Sequence, residues 1–140
     1  MPFPVWMLLG FAIWTVAVLL FTVGIYRWSR ILTGRVAMKD FRGDKVEGDD
    51  FYLRAMRAHA NCIENLPVFG AVVLVLYIGN VSSPAIDIMA GIVLVARVLQ
   101  TTVHVALVQT NGIALIRFIF FFAQLFCFVG MAAAIVHRFL

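Results

Sequence analysis

Charge is what this sequence has least of. Only 13% of its residues are charged against 64% hydrophobic, too few to clothe a water-soluble domain of 140 residues. A soluble fold is excluded, and the chain reads as an integral membrane protein. Acids are scarcer than bases, 7 against 11, but no amphipathic basic surface accompanies the excess, so no nucleic-acid partner is expected. The three histidines, His59, His104 and His137, stand in separate segments without ligand spacing, and no metal site is expected. Cysteine is limited to Cys62 and Cys127, both inside apolar stretches. They read as small buried residues, not as a disulfide framework. No Ser-His-Asp or Cys-His arrangement and no phosphate-cradling glycine motif is present.

What is present is a series of long apolar runs. The spans fall at about 5–31, 51–79, 85–108 and 113–137, the third interrupted by Arg97. Each can cross roughly 30 Å of hydrocarbon as a helix. The first is too long for a signal-peptide core and has no basic residue before it. Four spans joined by short connections use nearly the whole chain. Residues 1–140 therefore read as a single domain of the all-α class, an up-and-down four-helix bundle in the membrane with lipid as its surroundings.

Tyr26-Arg27-Trp28-Ser29-Arg30 ends the first span with the cations and aromatics of a membrane interface. Residues 33–50 form the one truly polar segment and read as a solvated loop. Eight of the 11 basic residues lie between Arg27 and Arg57, whereas the connection near Asn80 to Ile86 has none. The positive-inside rule then predicts a cytoplasmic first loop, with both termini on the opposite face. Asp49 or Asp50 can begin the second helix, and Pro67 within it predicts a kink. Ser82 or Ser83 can lead into the third, with Pro84 at its start.

Polar residues then intrude at membrane depth, where they are costly and mark sites that need a partner. At about 100° per residue, Arg57, Asn61 and Glu64 share one stripe of the second helix, flanked by Arg54 and Asn65. The third helix repeats the pattern with Arg97, Gln100, Thr101 and His104 at i, i+3, i+4 and i+7. Arg117 follows one turn into the fourth, with Gln124 seven residues on. Three helices thus each bring an arginine to the loop-side half. Glu64, the one deep carboxylate, can neutralise Arg97 as a structural counter-ion or face a ligand. Guanidiniums without acids of their own, beside amides, suit an anionic ligand.

Arg57-Ala58-His59, Asn61, Glu64, Pro67 and Phe69, with Leu32-Thr33-Gly34-Arg35-Val36, Ala96-Arg97 and Arg117, resemble the family of membrane-associated proteins in eicosanoid and glutathione metabolism, MAPEG. The resemblance is to microsomal glutathione transferase-like members and extends over the whole chain. It implies a homotrimer of four-helix subunits that holds glutathione, as co-substrate, between neighbouring subunits near the cytoplasmic face. It implies that Arg57, Asn61 and Glu64 hold the tripeptide with support from Arg97, that Gln100 and His104 line the site, and that Arg117 stabilises the thiolate. Where relatives carry tyrosines or a histidine on the third helix this chain has Gln100 and His104, and Phe118 and Phe121 replace a serine and a tyrosine on the fourth.

The expected activity is that of a glutathione-dependent transferase or peroxidase, acting on lipophilic electrophiles or lipid hydroperoxides. Phe118 and Phe121 motivate a second class, a non-catalytic membrane scaffold or lipid- or anion-binding protein that keeps the fold without thiol chemistry.

Overall fold

The computed structural model describes residues 1–41 and 47–140. The middle of the charged loop, 42–46, lies outside the described residues. Four helices carry the rest: α1 (Phe3–Leu32), α2 (Asp50–Ile78), α3 (Pro84–Ala106) and α4 (Asn111–Phe139). Each is long and apolar enough to cross a membrane. A single 3-10 turn, Met38–Asp40, interrupts the first connection, and no strand occurs among the described residues. The chain is an all-helical, four-helix membrane bundle. Helix α1 packs on α2 and α3, α3 packs on α4, and α2 touches both α3 and α4.

Local chemistry explains where the helices start. Ser83 caps α3, its Oγ accepting from the Ile86 N–H at 3.3 Å, and Pro84 occupies the first turn, where a missing N–H costs nothing. Thr110 caps α4 in the same way, accepting from Ile113 at 3.2 Å. At the start of α2, Asp49 holds the cap position without a side-chain capping bond, because its carboxylate is taken by Arg30 at 2.6 Å.

Helix α1 buries Phe11, Thr15 and Val18, then skips to Val23. The last step of five residues is one too many for an α-helix. A π-helical turn over Leu19–Gly24 absorbs it and keeps Val23 on the inward face. The Thr15 and Thr22 hydroxyls donate to the carbonyls one turn back, at 2.9 and 2.5 Å, so neither is left unpaired in hydrocarbon.

The core follows from the inward stripes. Phe11, Phe69 and Phe128 join α1, α2 and α4, with ring centroids 5.7 and 5.9 Å apart. Around them pack Val73, Leu76, Ile86, Ala90, Val93 and Met131, together with both cysteines, which are free and buried. In lipid this packing is held by dispersion and close approach, since the surroundings are as apolar as the core. Gly130 is one such approach: a methyl group there would meet Met89 Sδ at 2.7 Å.

A second cluster closes the loop end. Tyr26 and Tyr52 stack at 4.4 Å, Phe41 meets Tyr52 edge-on, and Arg27 Nε donates to the Tyr52 hydroxyl at 2.9 Å. Gly48, at φ +154°, fits beneath; a Cβ there would lie 2.8 Å from the Tyr52 ring and 3.0 Å from the Tyr26 hydroxyl. This latch pins the returning loop to the start of α2.

Candidate functional site

The inward stripe of α3 changes character halfway along. Ile86, Ala90, Val93 and Ala96 are apolar, and Arg97, Gln100, Thr101 and His104 continue the same stripe, all of them buried. Arg97 is 1% exposed. Its Nε donates to Gln124 Oε1 at 3.0 Å, and its guanidinium lies 5.4 Å from the centroid of the Phe11 ring. Gln124, fully buried on α4, donates from Nε2 to Gln100 Oε1 at 2.8 Å and to the Phe120 carbonyl at 3.0 Å. Thr101 donates to the Arg97 carbonyl at 2.8 Å, and its Oγ1 lies 3.5 Å from Cys62 Sγ.

Of the two roles open to Glu64 in the sequence, counter-ion of Arg97 or ligand contact, the geometry does not support the first. Among the described residues Glu64 enters no ion pair, and it acts on Arg97 only through space. The physical reason is the rotation of α3, which turns Arg97 toward α1 and α4, while Glu64 stays on an exposed face of α2. Ion pairs form instead near the loop end, as Arg30–Asp49 and Arg54–Asp50.

In front of this network lies a cleft of about 330 Å³. Helix α2 contributes Asn61, Glu64 and Asn65, α3 contributes Gln100, the last connection contributes Gln109, and α4 contributes Ala114, Arg117, Phe118 and Phe121. Arg117 Nη1 donates to Gln109 Oε1 at 2.5 Å. Its Nε is buried with no partner among the described residues, a donor without an acceptor in a site that has room for one. His104, 3% exposed, has an Nε2 with no partner among the described residues, and Arg117, Arg57 and Arg54 are within electrostatic range of it. A cavity at the opposite end of the bundle, lined by Pro2, Tyr77, Asn80 and Asp87 among others, has no cation on its walls.

The cleft therefore unites Asn61, Glu64, Gln100 and Arg117 from the residues singled out in the sequence. Arg97 sits behind it, joined to Gln100 through Gln124; Arg57 and His104 are not among its lining residues, although both lie within electrostatic range of Arg117. Gln109 is an addition that periodicity could not supply, since it lies in a connection; its signal was the run of hydrogen-bonding residues Gln109-Thr110-Asn111. Gln124 was visible as a polar residue on the Arg117 face, but not as the partner of Arg97.

The sequence model of the MAPEG family matches residues 5–137. The chain belongs to the MAPEG family. Neither a curated protein nor a solved structure matches it. In this MAPEG chain the polar cleft draws on the last three helices, with Phe118 and Phe121 as its apolar side. Family membership fits a role in glutathione transfer, peroxide reduction or eicosanoid metabolism.

Proposed function

We propose that this MAPEG protein is a glutathione-dependent transferase or peroxidase acting on lipophilic electrophiles or lipid hydroperoxides. The observation that carries the reading is that Arg117 shares one cleft with Asn61, Glu64, Asn65 and Gln100. Family members generally use glutathione, and the donor set suits that tripeptide. Glu64 can accept from its ammonium group, and the amides of Asn61 and Asn65 can pair with its peptide groups. Arg57 supplies charge for its carboxylates.

Bound glutathione supplies a thiol, as nucleophile or as reductant. Arg117 favours the ionised sulfur by placing a cation and an unpaired N–H in a partly desolvated cleft. Arg97 supports the wall from behind through Gln124 and Gln100, and His104 adds a polar side chain beside it. Phe118 and Phe121 offer an apolar approach for a co-substrate arriving from the bilayer. Conjugation forms a carbon–sulfur bond and expels the leaving group with its electron pair. Peroxidase turnover joins two thiols as a disulfide while the hydroperoxide becomes an alcohol and water.

On this reading the protein assembles as a homotrimer, as MAPEG proteins commonly do. The 33–50 loop faces the cytoplasm and both termini face the other side, in keeping with the basic residues of the first connection.

Calorimetric titration with glutathione in lipid nanodiscs, followed by turnover of an aryl halide and a fatty-acid hydroperoxide, tests the proposal. Saturable binding with turnover that drops in Arg117→Ala is expected. No binding, no turnover and an indifferent Arg117→Ala would discard it. The apolar rings of Phe118 and Phe121 favour a second reading, a binding protein for lipids or other anions, which a co-purifying anionic lipid without glutathione turnover would support.

A further inference from the structure

The Arg97–Gln124–Gln100 chain has a direction. A guanidinium has only donors and stays protonated. The Gln124 atom that meets Arg97 Nε at 3.0 Å must therefore be the oxygen. That turns the Gln124 amino group away, and it donates to Gln100 Oε1 at 2.8 Å and to the Phe120 carbonyl at 3.0 Å. Reversing the Gln124 amide would set its N–H against the arginine N–H. Reversing Gln100 would set amino group against amino group. Both side chains are more than nine-tenths buried, as is Arg97, so neither reversal can be repaired by water. The oxygen of Gln100 is thus consumed inside the bundle, and its amino group is the end left for the cleft that Gln100 lines.

We propose that Arg97 and Gln124 are positioning residues that hold Gln100 as a hydrogen-bond donor toward the cleft, so that the site selects a ligand whose facing group is an anion or a carbonyl over one whose facing group is a donor. Its ligand arm rests on the glutathione reading above; its structural arm does not. The permanent charge of an arginine that touches no ligand is converted, over two hydrogen bonds, into the polarity of an amide that lines the site. Arg97 thereby acts through another residue, and its own burial ceases to be anomalous for a cleft-side cation.

Gln124→Glu separates this role from mere packing. Glutamate keeps the shape and still accepts from Arg97, but it has no N–H to give. Gln100 must then turn its amino group inward and present its oxygen to the cleft, although no atom lining the cleft has been changed. The chain has three glutamines, Gln100, Gln109 and Gln124, so a ¹⁵N-glutamine-labelled sample in nanodiscs yields a short set of side-chain signals, with Gln100 assigned by its loss in Gln100→Ala. In the unaltered protein the Gln124 amide protons should resist exchange with water while those of Gln100 exchange. In Gln124→Glu the Gln100 protons should become protected. Affinity for glutathione sulfonate, a mimic of the thiolate, should fall about tenfold in Gln124→Glu, the worth of one hydrogen bond to a charged group. The same change should do nothing further in a Gln100→Ala background.

Unchanged Gln100 exchange in Gln124→Glu, or an equal loss of affinity in the Gln100→Ala background, would overturn the proposal. If the unaltered protein binds no glutathione sulfonate, the glutathione reading fails, and the exchange measurement still decides the polarity of Gln100. Should Gln124→Glu not fold, Gln124→Met serves. It neither accepts nor donates, so Gln100 should turn freely and show intermediate exchange, and a Gln100 signal identical to that of the unaltered protein would sink the idea.

Discussion

Arg97 meets an amide, Gln124 Oε1 at 3.0 Å, where a buried cation ordinarily calls for a carboxylate. The Phe11 ring completes the arrangement, and both contacts are strengthened by the absence of water around them. A buried cation that rests on a neutral acceptor and a ring, and enters no ion pair among the described residues, is sensitive to losing either. Gln124→Leu leaves Arg97 Nε buried and unpaired and is expected to cost about 2 kcal/mol or more. Thermal unfolding in detergent should show a clear drop in midpoint. A midpoint unchanged within error would mean that Arg97 draws its stability elsewhere.

Glu64 provides the complementary case. Since it enters no ion pair among the described residues and its side chain faces the cleft, Glu64→Gln should leave stability within about 0.5 kcal/mol while weakening glutathione binding. Loss of a true partner of Arg97 would instead cost roughly 3–5 kcal/mol. The same unfolding assay separates the two, and a large drop would restore Glu64 as the counter-ion.

Arg117 carries the chemistry in the proposed function. Arg117→Ala is expected to reduce kcat/KM for conjugation by roughly 10²–10³, the usual loss when one charge-stabilising donor is removed. Because Arg117 is only half-buried, the protein should still fold. Arg117→Lys keeps the charge but cannot reproduce the fork of N–H donors, so partial activity is expected. Equal activity of all three proteins in a steady-state assay would remove Arg117 from the mechanism.

Thr110 positions that arginine indirectly. Its hydroxyl caps α4, seven residues before Arg117, and Gln109 beside it receives the Arg117 Nη1 bond. Thr110→Ala should cost about 1 kcal/mol, the typical worth of a side-chain cap, and should lower turnover more than Ser83→Ala, whose cap lies at the far end of the bundle. Matched turnover in the two variants would disconnect the cap from the cleft.

The loop latch gives a test outside the membrane. At Gly48 both the backbone angle and the 2.8 Å approach to Tyr52 oppose a side chain. Gly48→Ala should loosen the Tyr26–Tyr52 stack and speed trypsin cleavage in the basic 33–50 loop, with little change in the helices. Cleavage at the unaltered rate would show that the latch does not hold the loop.

Much of this was legible in the sequence because it depends on neighbours along the chain. Ser83 before Pro84 announces a helix start by the same hydroxyl-to-amide bond wherever it occurs. The stripe of Arg97, Gln100, Thr101 and His104 follows from 3.6 residues per turn, and it is buried as a stripe. Cys62 and Cys127 read as packing residues, and they sit in the core. By contrast, nothing in Leu19–Gly24 announces a π-helical turn, because its purpose is to return Val23 to a surface that only α2 provides.

Composition and period by themselves determined a four-helix membrane protein and the polar residues at depth, since both follow from the length of hydrocarbon to be crossed and the geometry of one helix. Which of those residues meet was decided by the tertiary structure alone. The rotation and depth of α3 against its neighbours gave Arg97 to Gln124 and Phe11, left Glu64 to the cleft, and brought Gln109 to Arg117. Partner choice between helices depends on angles that no single helix records, and a rotation of one residue, 100°, suffices to exchange a counter-ion for a cleft-facing acid.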